Sequence, residues 1–214
     1  MRELPPPVPS SLPYEPKEEN LAKLEDWIFA RYLSSSFNIC EQQPLPLMDT
    51  SPPVKLIVEE GSEPVACTKA SPIPINWLDK IKEELDKDVR LGVIAPVPEN
   101  VPVTWCSRMG IVPKKSGEPR RVIDFRPLNK VTKSQTHPVE SPFIQASRIP
   151  PGTWKRCSDA WNRYHSVPLD PESRHFTTFL TPFGRFWYLV NPQGQKIAGD
   201  AYSQRYDNIL LEFE

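Results

Sequence analysis

The residues best suited to phosphate chemistry begin with a predicted hairpin that carries Lys114, Lys115, Arg120 and Arg121. Arginine offers a planar fork that can bind two phosphate oxygens, and lysine offers a mobile point charge, so together they could hold a triphosphate. Judged by charge alone, a hairpin whose basic side chains simply face solvent is the more common case.

A single carboxylate, Asp159, directly follows a predicted strand at Trp154–Ser158 and could project from the sheet toward a metal ion. Phosphoryl transfer commonly uses two Mg²⁺ ions about 3.5–4 Å apart, each of which needs oxygen ligands from several positions. One carboxylate is therefore not a two-metal site, and an isolated strand-end aspartate is more often a cap or a turn former.

One further residue could contact a nucleotide, and a tyrosine follows the carboxylate. Gln193 lies between Pro192 and Gly194 at the end of a predicted strand, where glycine permits close backbone approach and the amide can bond a sugar or a base edge. As a lone tripeptide this signal is weak. Tyr164 lies five residues beyond Asp159, and in most proteins such a tyrosine would be a core aromatic.

The charge is unevenly distributed along the 214 residues, although the formal net charge is only −1. Residues 104–163 carry 12 basic and 4 acidic side chains, whereas residues 1–103 carry 10 and 17. We call residues 104–163 the basic island. Such an island suits binding to a polyanion, and a solvated lysine-rich face is the alternative.

Cysteines and histidines show no metal-ligand or disulfide spacing. Four scattered cysteines predict reduced thiols in an intracellular protein, cytoplasmic or nuclear: Cys40, Cys67, Cys106 and Cys157. Three histidines are predicted to be structural or surface residues: His137, His165 and His175. There is no secretory leader and no apolar run long enough for a membrane span, so we expect no membrane association.

Hydrophobic periodicity predicts two amphipathic helices before the sheet. The first spans Lys17–Leu33, and the second begins with Asn76 as its cap and ends at Gly92. One strand is expected at Val54–Val58. Ten of the 27 prolines fall in the first 53 residues, so residues 1–75 are predicted to be a proline-rich N-terminal segment with one helix.

Beyond residue 76 the pattern predicts one α+β domain, residues 76–214. Strands at Arg108–Val112 and Arg120–Phe125 flank Ser116-Gly117, a hairpin turn signal. Further strands are predicted at Phe176–Thr181 and Arg185–Val190, and the final segment is predicted to be a helix from Ala201 to Phe213.

Several ordered motifs carry a family resemblance that covers nearly the whole chain. They run from residues 102–109 through 115–129, 136–143, 159–169 and 174–179 to Pro192-Gln193-Gly194, preceded by residues 37–48 and 85–94. Together they closely resemble reverse transcriptases of gypsy-type LTR retrotransposons, within the Pol polyprotein.

The resemblance implies the fingers and first part of the palm of a right-hand polymerase, which adds dNTPs to an RNA or DNA primer–template with Mg²⁺ or Mn²⁺. It implies these roles: Asp159 as the first metal-binding catalytic aspartate, Ala160 as a backbone contact, Tyr164 as the steric gate under the sugar, Lys114 or Lys115 with Arg120 as triphosphate contacts, and Gln193 as a contact to the incoming nucleotide.

Two departures from the family pattern bear on activity. The residues after Gly194 continue as Ala198-Gly199-Asp200-Ala201 in place of the small-residue Ala-Pro helix start of many relatives. The family's two consecutive aspartates do not occur before Glu214. The chain is therefore expected to be an inactive fragment whose thumb, connection and RNase H regions belong to the full Pol product, with a non-catalytic nucleic-acid or nucleotide binding module or a decayed coding remnant as the alternative.

Overall fold

The structure, a computed structural model, describes residues 7, 9–32, 47–48, 52–153 and 163–210. Contacts divide the chain into two compact units, Met1–Pro46 and Leu47–Glu214. The first unit contains a 3-10 turn at Glu18–Asn20 that continues into helix α1, Leu21–Tyr32, as its periodicity predicts. Leu24 is the buried position of its apolar stripe.

The second unit contains a five-stranded mixed sheet, in the order β1-β5-β4-β2-β3. Its strands are β1 (Ile94–Pro96), β2 (Ser107–Pro113), β3 (Pro119–Asp124), β4 (Phe179–Thr181) and β5 (Gly184–Tyr188). Among these five strands, β2 and β4 pair in parallel and the other neighbours pair antiparallel. The sheet and its helices confirm the mixed helix-and-strand class.

The predicted hairpin is β2 and β3, joined by residues 114–118. Lys114 N–H donates to the Glu118 carbonyl at 2.7 Å, which closes the turn. Gly117 has φ of +81°, a conformation that side chains strongly disfavour. The Ser-Gly signal in the sequence therefore marks the turn correctly.

Helix α2, Leu78–Arg90, follows a 3-10 turn at Ile75–Trp77. The prediction that Asn76 caps this helix is wrong. Asn76 lies inside the 3-10 turn, so Trp77 occupies the N-cap position, and its side chain makes no capping hydrogen bond. Gly92, with φ of +71°, ends the helix as predicted. Ile81 and Leu85 are fully buried.

Residues 54–67 belong to the second unit and pair with other parts of it through isolated β-bridges. Val54 pairs with Leu169, Val58 with Thr132, and Ala66 with Cys106. The predicted strand at Val54–Val58 is therefore replaced by two single bridges to different partners. Each end of that segment pairs with a different part of the fold, so no continuous ladder forms.

Of the remaining α-helices, two follow β3 along the chain and one follows β5. They are α3 (Arg126–Val131), α4 (Pro142–Ser147) and α5 (Ala198–Leu210). The final helix begins three residues before its predicted start, and its predicted end at Phe213 lies outside the described residues. The predicted strand Trp154–Ser158 also lies outside them. Among the described residues, no helix is long and apolar enough to span a membrane.

The predicted strand Phe176–Thr181 is partly wrong. Its first residues belong to a 3-10 helix, Pro171–Thr177, whose start is fixed by Asp170, since the carboxylate accepts from Glu172 N–H at 2.8 Å. Only Phe179–Thr181 is strand. Phe179 is fully buried, with its ring centroid 5.6 Å from that of Tyr188 in β5. The predicted strand Arg185–Val190 corresponds to β5, and Val190 adds a single bridge to Pro168.

Candidate functional site

The β2–β3 hairpin is anchored to helix α2 by two ion pairs. Arg121 in β3 pairs with Asp88 in α2, and their side chains are only 15% and 19% exposed. Nearer the turn, Glu118 pairs with Lys80. One arginine of the hairpin is therefore used for attachment and is unavailable to a ligand.

The other basic side chains of the hairpin face solvent. Strand register places Arg120 opposite Val112, and Arg121 opposite Ile111 on the other face, because side chains alternate along a strand. Arg120, Lys114 and Lys115 are all exposed. The three residues predicted to contact a triphosphate thus lie together at one end of the hairpin.

A second basic group at the other end of the hairpin was missed by sequence reasoning. The Arg126 guanidinium donates two hydrogen bonds to the Asp124 carboxylate, at 2.8 and 2.7 Å. These hydrogen bonds lower the pKa of the Asp124 carboxyl group. Arg108 lies opposite Asp124. These groups border a cleft of about 380 Å³ whose apolar wall includes Trp105. The basic island was the signal that could have identified them.

The turn that contains Gln193 is clamped by Asn129 of α3. The Asn129 amide donates to the Gly194 carbonyl at 2.9 Å, and its oxygen accepts from Lys196 N–H at 2.8 Å. Gly194 has φ of +90°, so a side chain there would be strained. Gln193 is exposed at the tip of this turn.

Backbone hydrogen bonds bring the Tyr164 and Gln193 segments together. Asn191 N–H donates to the Val167 carbonyl at 2.8 Å, and Val167 N–H donates to the Tyr164 carbonyl at 3.2 Å. We call residues 163–170 and 190–198 the Tyr164–Gln193 region. Asn191 is completely buried, and its amide donates to the Ala198 carbonyl at the start of α5.

Tyr164 is half-buried and packs against helix α5. Its ring lies edge-on to that of Tyr202, with centroids 6.1 Å apart. The Arg163 guanidinium lies 4.6 Å from the Tyr164 centroid and donates to its hydroxyl at 2.6 Å. The tyrosine is thus held on a surface rather than inside the core, where sequence statistics would place it.

The predicted site residues fall into two groups in the structure. Tyr164 and Gln193 lie on adjoining segments, while Lys114, Lys115 and Arg120 form the exposed hairpin end. Within the described residues, no hydrogen bond or ion pair joins the two groups. Asp159 and Ala160 lie outside the described residues.

The described residues do not supply a metal centre. They contain no group of three or more His, Cys, Asp or Glu side chains placed to hold a metal ion. His137 instead lies 2.7 Å from an Asp207 carboxylate oxygen, and His165 packs beside Tyr188, as structural residues do. An Mg²⁺ ion, as the resemblance implies, would depend on Asp159.

Comparisons with known proteins agree with the resemblance. The chain is 30% identical over 173 residues to the transposon Tf2-7 polyprotein of Schizosaccharomyces pombe, which covers 80% of this chain and 12% of that polyprotein. It is also 30% identical over 180 residues to the Pol polyprotein of transposon opus of Drosophila melanogaster, which covers 80% of this chain and 17% of that protein. No protein-family model matches the chain.

The fold is similar to that of prototype foamy virus protease–reverse transcriptase, with a TM-score of 0.72 and 20% sequence identity. That match covers 93% of this chain and 26% of the viral one. The chain spans only 12–17% of the length of the curated relatives described above. By homology over 80% of its residues, the chain belongs with the Pol polyproteins of retrotransposons.

Proposed function

We propose that the chain is the fingers and first part of the palm of a retrotransposon reverse transcriptase. In the full Pol product this segment would hold a primer–template and an incoming dNTP during RNA-directed DNA synthesis. Support comes from the homologous Pol polyproteins and from the fold shared with a viral protease–reverse transcriptase.

The proposal rests on a difference among the basic residues of the hairpin, of which one is paired with a carboxylate and three are exposed. Arg121 is held by Asp88, which fixes the hairpin to α2, and this leaves Arg120, Lys114 and Lys115 exposed. An anchored strand pair with exposed cations on one side can present fixed positive charge to phosphates. A merely solvated basic face would not require the partly buried anchor.

The Tyr164–Gln193 region is proposed to contact the sugar and base of the nucleotide. The exposed Gln193 amide can donate and accept hydrogen bonds, and the Asn129 clamp fixes the turn that carries it. The half-buried Tyr164 ring supplies a flat apolar wall. Asp159 remains the proposed metal ligand and Ala160 a proposed backbone contact.

Catalysis by this polypeptide alone is not expected. Its 214 residues contain no pair of consecutive aspartates, which the family uses beside Asp159. Without that negative charge, two divalent ions next to a triphosphate would lack most of their compensation. We therefore expect binding without primer extension, which is also how a non-catalytic binding module would behave.

The first experiment measures binding of a labelled primer–template to the 214-residue protein by fluorescence anisotropy at several salt concentrations. Phosphate contacts release counterions, so log K should fall linearly with log salt. Substituting Arg120→Ala should lower the magnitude of that slope by about 1. Lys114→Ala should act in the same direction.

Lys55→Ala is the matched control, because it removes one exposed lysine that pairs with Glu172 outside the basic island. This variant should leave the salt slope unchanged. Equal changes of the salt slope in Arg120→Ala and Lys55→Ala would contradict the proposed contact between the hairpin and phosphates. In a parallel extension assay, synthesis that disappears in Asp159→Asn would overturn the expected inactivity.

A further inference from the structure

Arg163 makes an unusual set of contacts next to the proposed nucleotide site. Its side chain donates from a terminal nitrogen to the Tyr164 hydroxyl at 2.6 Å. The same guanidinium lies 4.6 Å from the Tyr164 ring centroid and 5.8 Å from that of Tyr202. Arg163 is itself exposed, so these contacts are not imposed by core packing.

The Tyr164 ring also contacts an aromatic residue of α5. Tyr202 meets it edge-on at an interplanar angle of 75°, and Tyr206 stacks on Tyr202 at 13° with centroids 5.8 Å apart. Positions 202 and 206 are one helical turn apart and therefore share a face of α5. Tyr164 thus contacts both the Arg163 cation and Tyr202, which in turn stacks on Tyr206.

A half-buried ring needs such support, because its backbone alone does not set its orientation. The Tyr164 carbonyl is fixed by Val167 N–H, but that bond leaves rotation about the side-chain torsions free. A guanidinium can stack on a ring and donate a directed hydrogen bond at once, whereas an ammonium provides only a point charge.

We propose that Arg163 is a positioning residue that fixes the ring of Tyr164 against Tyr202, and thereby sets how strongly the site prefers deoxyribonucleotides over ribonucleotides. The inference rests on the proposed function, which places Tyr164 beside the sugar. A fixed ring leaves no space for an additional 2′-hydroxyl group, while a ring that rotates can move aside. Arg163 acts through Tyr164 and need not touch the nucleotide.

The test compares Arg163→Ala and Arg163→Lys in the 214-residue protein, with two readouts. The first is NMR of ¹³C-labelled tyrosine rings without nucleotide, with the Tyr164 signals identified from Tyr164→Phe. Arg163→Ala should increase the motion of the Tyr164 ring and leave the buried Tyr188 ring unchanged. Arg163→Lys should restore the wild-type signals only in part.

The second readout is competition binding of dATP and ATP in the presence of Mg²⁺. An exposed cation–π contact contributes about 0.5–1 kcal/mol, so Arg163→Ala should reduce the dATP-to-ATP preference by about two- to fivefold. Arg90→Ala removes another exposed arginine, at the end of α2, and should leave both readouts unchanged.

The outcomes separate this inference from the proposed function. An unchanged Tyr164 ring in Arg163→Ala would overturn the positioning role, whatever the binding data show. A mobile ring with an unchanged dATP-to-ATP ratio would overturn the specificity role. If the wild-type protein bound neither nucleotide, the proposed function would be contradicted, and the ring measurement would still decide whether Arg163 positions Tyr164.

Discussion

The β2–β3 hairpin and the Tyr164–Gln193 region are held in place by different forces. The hairpin is attached through charged side chains, Arg121 to Asp88 and Glu118 to Lys80. The Tyr164–Gln193 region is attached through backbone groups, with Asn129 clamping its turn. Both regions expose the side chains that are proposed to meet a ligand.

This difference in attachment suggests that the two regions would interact with a ligand over different distances. Charge at the hairpin acts over a distance comparable with the Debye length, about 8–10 Å at ordinary salt, and tolerates small movements of the ligand. Hydrogen bonds at Tyr164 and Gln193 require donor–acceptor distances of about 3 Å, and ring contacts require a defined ring orientation. The hairpin is therefore suited to attracting a polyanion, and the Tyr164–Gln193 region to discriminating between small groups.

The largest effect is expected from Arg121→Ala, which leaves the partly buried Asp88 carboxylate without its partner. Uncompensated buried charges cost about 3–5 kcal/mol, and residual exposure of this pair favours the lower end, about 3 kcal/mol. Urea unfolding at neutral pH measures the loss. Hydrogen exchange should show reduced protection in β2 and β3 but unchanged protection in the Tyr164–Gln193 region.

Two variants serve as controls for this anchor. Lys82→Ala breaks an exposed pair with Asp86 on the same helix, which should cost only about 0.3–0.5 kcal/mol. Replacing both Arg121 and Asp88 with leucine should cost less than Arg121→Ala alone, because no charge is left unpaired. A loss in Arg121→Ala no larger than that in Lys82→Ala would show that the pair does not anchor the hairpin.

Asn129→Ala tests the other region and is expected to have the next largest effect. It removes both hydrogen bonds of the clamp, at roughly 0.5–1 kcal/mol each in this partly exposed setting, for a total of about 1–2 kcal/mol. Asn129→Asp keeps the acceptor for Lys196 N–H but loses the donor to the Gly194 carbonyl, so its loss should be about half as large. Protection of residues 190–198 should fall while β2 and β3 keep theirs, and loss in the hairpin instead would contradict the separation.

The β2–β3 hairpin and helix α2 could be predicted from sequence because their signals are local. Ser116-Gly117 between alternating strands identifies the turn, and the spacing of Ile81 and Leu85 identifies the buried face of α2. The family motifs likewise indicated Tyr164 and Gln193, which the structure places on adjoining segments. These features depend on residues that are close in the chain.

Long-range pairing explains what the sequence could not predict. Arg121 and Arg120 are neighbours of the same type, and only the distant Asp88 distinguishes the anchor from the exposed side chain. Asn129 lies 65 residues from Gly194, so nothing local marks it as a clamp. The strand predicted at Val54–Val58 failed because each of its ends pairs with a different distant segment.

Glycine substitutions provide a smaller test of the same comparison. Gly117→Ala in the hairpin turn meets no atom within 4 Å, but its φ of +81° should cost about 1 kcal/mol through backbone strain. Gly199→Ala in α5 also meets open space without a positive φ, and should stabilise by about 0.5–1 kcal/mol through helix propensity. Thermal unfolding of the two variants should give opposite signs, and a shared sign would contradict one of the two backbone assignments.

The smallest expected effect is a pH dependence where the two regions meet, at His165. The His165 side chain packs beside Tyr188 and lies near Asp88 and Arg121. Burial is the main cause of its lowered pKa. The charge of Asp88 opposes this shift, and the charge of Arg121 adds to it. The unfolded chain, with a histidine pKa of about 6.5, therefore binds a proton more readily than the folded one. Stability should be fully present above that pH and should fall as the pH decreases toward the folded-state pKa.

His165→Gln should remove this component of the pH dependence, since glutamine does not titrate. Urea midpoints measured between pH 7.5 and 5 should fall less steeply for the variant than for the wild-type protein. In Asp88→Asn the favourable neighbour of a protonated His165 is lost, so the wild-type decrease should become steeper. Parallel curves for wild type and His165→Gln would mean that His165 keeps its ordinary pKa in the folded state, and that the hairpin anchor and the Tyr164–Gln193 region are not electrostatically coupled through it.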